Sequence, residues 1–330
     1  MSSVDIVVPC FRYGHFLREC VESILTQSGP ELRVLIIDDA SPDNTAEVAQ
    51  ALACSDPRVD YRRHTSNQGL IATANEGIAW ARADYMLLLS ADDYLLPGAL
   101  KRSTDLMDDH PSVAFTFGGA VVLDQRGQYS RHRIGVGSRT HVLSGLDFTK
   151  LGGARNIVLS PTVVVRTSLQ KRLGGYWADL PYASDMEMWL RLAAYGDVGV
   201  IAADQAVYRA HSASMSSEPS REQELLQRKA AIEHFLNESA PRMTNADALG
   251  AWLNRMLALD AIGCASASFN EGAIESSARL SELAVSIDPS VRRTRRWRLF
   301  ARKKSLGLRG WQLVRPAVEW FRFILRNEHR

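Results

Sequence analysis

Three acidic segments hold the side chains best suited to chemistry: Asp38-Asp39, Asp92-Asp93 within Ser90-Ala91-Asp92-Asp93, and Asp185 in Ser184-Asp185-Met186-Glu187. The first two follow apolar runs, Arg33 to Asp38 (RVLIID) and Tyr85 to Leu89 (YMLLL), and a further run, Asp5 to Pro9 (DIVVP), leads into Cys10-Phe11-Arg12. In open parallel sheets the ligand crevice lies beyond the carboxyl ends of the strands. Carboxylates collected at such an edge repel one another, and a hard divalent cation shared with phosphate oxygens makes them compatible. The pattern points to a metal together with a nucleotide. No Gly-x-Gly-x-x-Gly and no Gly-x-x-x-x-Gly-Lys-Ser/Thr follows the first run, so the phosphates have to be held by metal.

The elements that must position these residues can be read from hydrophobic period. Asp5 to Pro9, Arg33 to Asp38, the weaker Val59 to Arg63, and Tyr85 to Leu89 read as strands, separated by segments with helical spacing such as Leu17, Val21, Ile24 and Leu25. That alternation predicts an α/β fold with a mostly parallel sheet flanked by helices and right-handed crossovers. Beyond Pro97 the expectation is a helix to about His110, strands at 113–117 and 120–123, loop over 126–156, a strand at 162–165, a helix at 184–195 and a short strand at 198–201. Residues 219–287 read as continuously helical. The domain expectation is therefore 1–215 for the α/β domain, 216–290 for a helical domain and 291–330 for a basic tail.

The 330 residues are 46% hydrophobic and 23% charged, with 12 Pro and 22 Gly, a composition that excludes a wholly disordered or collagen-like chain. Cys10, Cys20, Cys54 and Cys264 show no metal-type or dithiol spacing and are expected to be free thiols. No apolar stretch reaches the length of a membrane span and the start lacks the pattern of a signal peptide, so the expected location is cytoplasmic. The net charge of +2 conceals an asymmetry: residues 292–330 carry +11 and the remainder −9.

Taken in order, Val7-Val8-Pro9-Cys10-Phe11-Arg12, Ile36-Ile37-Asp38-Asp39-Ala40-Ser41, Asn67-Gln68-Gly69-Leu70, Ala74-Asn75-Glu76-Gly77, Leu89-Ser90-Ala91-Asp92-Asp93, Ser184-Asp185-Met186-Glu187-Met188-Trp189-Leu190-Arg191 and Tyr208-Arg209-Ala210-His211 resemble the blocks of the family 2 glycosyltransferases over roughly residues 4 to 215. The resemblance implies a GT-A, Rossmann-like fold with a C-terminal helical extension. It also implies inverting transfer of a sugar from a nucleoside-diphosphate sugar to a hydroxyl of a glycan or lipid-linked acceptor, in cell-surface polysaccharide synthesis. UDP is the first choice of nucleotide, with dTDP or GDP as alternatives. Pro9, Phe11, Asp39, Asn67 and Asp92 are placed around the donor, Asp93 and His211 on Mg²⁺ or Mn²⁺, and Asp185 as catalytic base. An acid at position 39 can accept the imide N–H of uracil or thymine, or the N–H pair of guanine. Three departures stand out: Arg12 where the family usually has Asn, Ser90 where many members carry an acid, and Ser184 where an acid usually precedes the base. They keep open a catalytically silent sugar-nucleotide-binding or membrane-assembly protein. A sugar-nucleotide pyrophosphorylase is a further alternative, but the Gly-rich basic loop it needs after the first strand is missing.

In the tail, Arg292, Arg293, Arg295, Arg296, Arg298, Arg302, Lys303 and Lys304 surround Trp297, Leu299 and Phe300, and Val318, Trp320, Phe321, Phe323, Ile324 and Leu325 follow Pro316. Cationic and apolar residues together suit an anionic membrane surface on the inner face of the plasma membrane; packing on the helical domain is the alternative. No nucleic-acid module is visible.

Overall fold

The computed structural model describes residues 2–132, 139–211, 219–239 and 245–316. The chain divides into two compact units, and the division falls near Pro219, with the segment from Glu233 returning to the first unit.

The first unit starts with β1 (Ser3–Cys10), α1 (Gly14–Leu25), β2 (Glu31–Asp38), α2 (Thr45–Ser55), β3 (Val59–Arg63), α3 (Leu70–Trp80) and β4 (Tyr85–Leu88). These strands pair in parallel in the order β3-β2-β1-β4. Seven of the eight β1 residues are buried, and alternation splits them between two cores. Val4, Ile6 and Val8 meet Leu17, Val21 and Ile24 of α1, whereas Val7 meets Leu35, Ile37 and Ile78 on the other face. Gly77 lets α3 lie directly on β1, since a Cβ there would overlap the Val7 side chain. Asp5, at the opposite end of β1 from the acidic loops, is fully buried and accepts from Arg33 Nε and Nη2 and from the N–H groups of Arg82 and Ala83. It is a structural acid.

The second half of the sheet follows with β5 (Tyr94–Leu95), α4 (Ala99–Asp109), β6 (Val113–Asp124), β7 (Tyr129–His132), β8 (His141–Leu143), α5 (Gly145–Gly152), a 3-10 turn (Ser160–Thr162), β9 (Val164–Arg166), α6 (Thr167–Leu173), α7 (Ser184–Ala193) and β10 (Asp197–Ala210). Strand β9 runs antiparallel between β4 and β6, β6 and β10 are parallel, and β5 closes antiparallel on β10. Three expectations are corrected here. Residues 126–156 are not all loop: β7 and β8 pair with β6 and β10, and α5 is capped by Ser144, which accepts from the Asp147 N–H. Strand β7 is exposed throughout, so no apolar alternation announces it. The two runs at 113–117 and 120–123 form one strand through Gly118-Gly119, and the facing β10, expected to end at Ile201, runs on to Ala210 with shifts of register against it.

The second unit is helical: α8 (Arg221–Ser239, whose last turns belong to the first unit), α9 (Ala246–Asn270), α10 (Ile274–Ile287) and α11 (Arg295–Ser305). The expected continuous helical stretch is thus broken, in one place at Gly272, whose φ of 83° ends α9. Thr294 caps α11, accepting from the Trp297 N–H at 3.1 Å, and Phe300 and Lys303 turn inward onto α9. Residues 317–330, which include the apolar run from Val318 to Leu325, lie outside the described residues.

Candidate active site

Parallel pairing brings the acidic loops to one edge. The Asp39 N–H donates to the Cys10 carbonyl at 2.9 Å, and the Ala91 N–H donates to the Pro9 carbonyl at 3.3 Å, so the segments after β2 and β4 flank the end of β1. Two strand spacings separate them by about 10 Å. Arg12 and Ala40 close the turns after β1 and β2 with φ of 64° and 58°, left-handed conformations that side chains other than glycine adopt at a cost. The loops are cross-braced by the Arg12 N–H on Ser41 Oγ (3.0 Å) and the Gly14 N–H on Asp43 (3.2 Å). Phe11 is 37% exposed at this edge, with the Arg12 guanidinium 5.8 Å from its ring centroid. Pro9 is buried within β1, and Asn67 is exposed, its Oδ1 accepting from the Gly69 N–H.

The two acids after β2 have different tasks. Asp38 is fully buried and ties the turn, accepting from the Ser41 N–H and the Tyr61 hydroxyl and forming an ion pair with Arg63, whose Nε lies 3.3 Å away. Asp39 accepts on Oδ1 from His64 Nδ1 (2.7 Å) and the Gln68 N–H (2.7 Å), and on Oδ2 from the Gly69 N–H (2.8 Å). A carboxylate has about four acceptor positions, so Oδ2 keeps one to offer.

Asp92 and Asp93 are 8% and 2% exposed. Burial pushes both carboxyls above their ordinary range, and the charge of Asp92 lifts Asp93 further. The pairing of β5 with β10 carries this loop against the end of β10, where His211 Nε2 lies 3.0 Å from Asp92 Oδ2 and the Arg209 N–H donates to Asp93 Oδ1 at 2.9 Å. The Arg209 guanidinium donates to the Asp92 carbonyl and to Glu19, and lies over the rings of Phe16 (4.6 Å) and Tyr94 (4.8 Å). His211 therefore faces Asp92. Among the described residues no three His, Cys, Asp or Glu side chains converge on one point. Two buried neighbouring carboxylates that burial disfavours as anions, with an imidazole bonded to one of them, offer oxygen and nitrogen donors of the type that Mg²⁺ or Mn²⁺ takes.

Asp185 opens α7. Its Oδ2 accepts from Asn156 Nδ2 at 2.7 Å and Ser160 Oγ at 3.4 Å, and its Oδ1 from the Met186 N–H. Burial outweighs these bonds and raises its carboxyl above the ordinary value. Ser160 belongs to the 3-10 turn that packs against β4 and β5 and leads into β9. Because β9 is antiparallel to β4, this turn stands at the same edge as the loop holding Asp92. Glu187, two residues on, is fully buried and bonded to Arg191. Sequence reading did not find His64, Asn156, Ser160 or Glu19; each is a lone polar residue whose role depends on distant partners, and for Arg209 the only signal was its place beside His211.

A half-sheet of parallel strands with carboxylates at its ends and an acid-started helix beyond them defines a GT-A type of fold. The chain belongs to the family 2 glycosyltransferases: the patterns described as "Glycosyl transferase family 2" and "Glycosyl transferase family group 2" match residues 5–164 and 85–258. It is 30% identical over 138 residues to the GalNAc(5)-diNAcBac-PP-undecaprenol beta-1,3-glucosyltransferase of Campylobacter jejuni, covering 42% of this chain and 44% of that one. The chain matches less than two thirds of the length of the curated relatives heading the comparison. In fold it is similar to S. aureus TarS 1-349 in complex with UDP-GlcNAc (TM-score 0.60, 17% identity, 78% of this chain and 70% of that one). It is also similar to the mannosyltransferase PcManGT of Pyrobaculum calidifontis in complex with GDP-Man and Mn²⁺ (TM-score 0.51, 15% identity, 95% and 86%).

Proposed function

We propose that the protein is an inverting glycosyltransferase that moves a sugar from a nucleoside-diphosphate sugar to a hydroxyl of a glycan or lipid-linked acceptor in cell-surface polysaccharide synthesis. The observation that carries this reading is Asp185, a carboxylate held on Oδ2 by Asn156 and Ser160, with its affinity for a proton raised by burial, at the edge where the acidic loops end. Such a group can take the acceptor hydroxyl proton as the hydroxyl attacks the anomeric carbon from the side opposite the diphosphate. Asp39 selects the donor base, Phe11 stacks beside it, Pro9 and Asn67 border it, and Asp92 faces the ribose or the cation. The donors bound by TarS and PcManGT support a nucleotide sugar, and UDP is our first choice. Asp93, Asp92 and His211 would hold Mg²⁺ or Mn²⁺, which when bound neutralises the diphosphate as it leaves.

The test is transfer and donor hydrolysis measured beside nucleotide binding. Asp185→Asn should bind nucleotide as the wild type does and lose transfer; retained transfer would refute the assignment. Asp93→Ala should lose metal-dependent donor hydrolysis, and full turnover in that variant would remove the metal assignment.

For the second unit we propose docking on the anionic inner face of the plasma membrane. Residues 289–316 contain no acid, Arg292, Arg293, Arg295, Arg296 and Arg298 are exposed, and Leu299, Leu306 and Leu313 are 44%, 52% and 83% exposed. Among the described residues no helix is long and apolar enough to cross a membrane. Cosedimentation with phosphatidylglycerol vesicles should weaken as salt rises; partitioning that is equal on neutral vesicles would sink the idea.

A further inference from the structure

We infer that His64 is a positioning residue for the donor: an imidazolium clamped between two acids that sets the orientation of the Asp39 carboxylate and so links nucleotide affinity to pH. The inference rests on the reading of Asp39 as the base-selecting acid.

His64 follows β3 directly, and its N–H donates to the Asp38 carbonyl at 2.9 Å. Its side chain is only 7% exposed. Nδ1 lies 2.7 Å from Asp39 Oδ1 and Nε2 lies 2.8 Å from Glu76 Oε2 on α3. Ionised carboxylates only accept, and a neutral imidazole carries a single N–H, so both contacts are hydrogen bonds only when the ring is doubly protonated. Burial works against that charge, but the bonds to Asp39 and Glu76 outweigh it and raise the ring above its ordinary 6.5. The charged groups around the ring are accounted for: Asp39 from the β2 end, Glu76 from α3, Arg62 of β3 paired with Glu76 at 3.0 Å, and the Asp38–Arg63 pair behind Asp39.

The consequence falls on Asp39. His64 and the Gln68 N–H occupy Oδ1 while the Gly69 N–H holds Oδ2, so the carboxylate plane is set from three directions. When the ring loses a proton it can donate to only one of its two acids. Glu76, bonded also to Arg62, then competes with Asp39 for that single N–H, and whenever Glu76 wins the carboxylate is held only by the Gln68 and Gly69 N–H groups, a looser grip on its broad terminal torsion. A base presented to it then meets an acceptor that is less tightly aimed.

Isothermal titration of UDP, dTDP and GDP in Mg²⁺, between pH 6 and 8.5, tests this on the full chain, using the nucleotide the wild type binds most tightly. Affinity should fall about three- to tenfold across the range, the worth of one hydrogen bond. His64→Gln, which keeps a donor but cannot carry charge, should be weaker by that factor at pH 6 and parallel only the nucleotide's own ionisation thereafter. Glu76→Gln leaves the ring one anion to face, so the midpoint of the fall should move to lower pH. Wild-type affinity and slope in His64→Gln would overturn the inference. If Asp39→Ala abolishes binding while His64→Gln does not, only the role of His64 falls; if Asp39→Ala binds normally, the base-selecting reading falls with it.

Discussion

The side-chain amide of Asn75 pairs with both backbone groups of Tyr176, donating to its carbonyl at 2.9 Å and accepting from its N–H at 2.7 Å. The amide stands in for a neighbouring strand across 101 residues of chain. Gly175 is needed beside it, because a Cβ there would overlap the Asn75 amide. Arg191 binds the other side of the same strap, donating to the Leu173 and Gly175 carbonyls, and buried Glu187 holds Arg191 in place. The strap presents Trp177, 40% exposed and with its ring tilted 51° to that of His234 at a centroid distance of 3.9 Å, along an open groove of about 600 Å³.

Asn75→Ala removes both bonds and leaves the Tyr176 backbone half-buried and unmatched. The expected loss is about 1–3 kcal/mol, read from the midpoint of urea unfolding, with a fall in transfer if the strap positions the acceptor. An unchanged midpoint would mean that Arg191 alone suffices.

Glu187→Ala strands the Arg191 guanidinium in a buried site. Breaking one partner of such a pair costs about 3–5 kcal/mol, whereas Glu187→Gln keeps an acceptor and should cost less. Both values follow from denaturant titrations, and similar losses in the two would show that charge matters more than the hydrogen bond.

Asp185→Asn should separate chemistry from stability. The folded carboxyl has a pKa raised above 3.8, so it favours the folded state while protonated, and that contribution is lost as pH rises through the raised value. Ionised Asp185 therefore opposes folding at neutral pH. The variant should melt at the same or a higher temperature at pH 7 while transfer falls by at least about 100-fold. In the wild type the acid limb of the rate profile should lie above 3.8, because the base must be ionised.

Arg12→Asn relieves the left-handed backbone at position 12, since Asn tolerates φ near 64° better than Arg. A gain of up to about 1 kcal/mol is expected in thermal unfolding. If the exposed guanidinium also meets the donor phosphates, the Michaelis constant for donor should rise while the melting temperature does.

Much of the first sheet was legible because β1, β2 and β4 are apolar on both faces and each ends in a recognisable block. The exposed β7 and the two-residue β5 were not, since neither carries a periodic signal; pairing with β6 and β10 alone makes them strands. The same contrast runs through the site. Asp39, Asp92, Asp93 and Asp185 stand in motifs, whereas the partners that hold them, His64, Asn156, Ser160 and Arg209, are single polar residues with no local pattern.

Amino-acid order by itself determined which strands carry acids at their carboxyl ends and which helix begins with one, because burial period and acidic punctuation are local properties of the chain. Only the tertiary structure decided that His211 meets Asp92 across 119 residues, that His64 lies between Asp39 and Glu76, and that Glu187 turns inward to Arg191. Those pairings depend on sheet register and on which helix face is buried, and both are set by long-range packing.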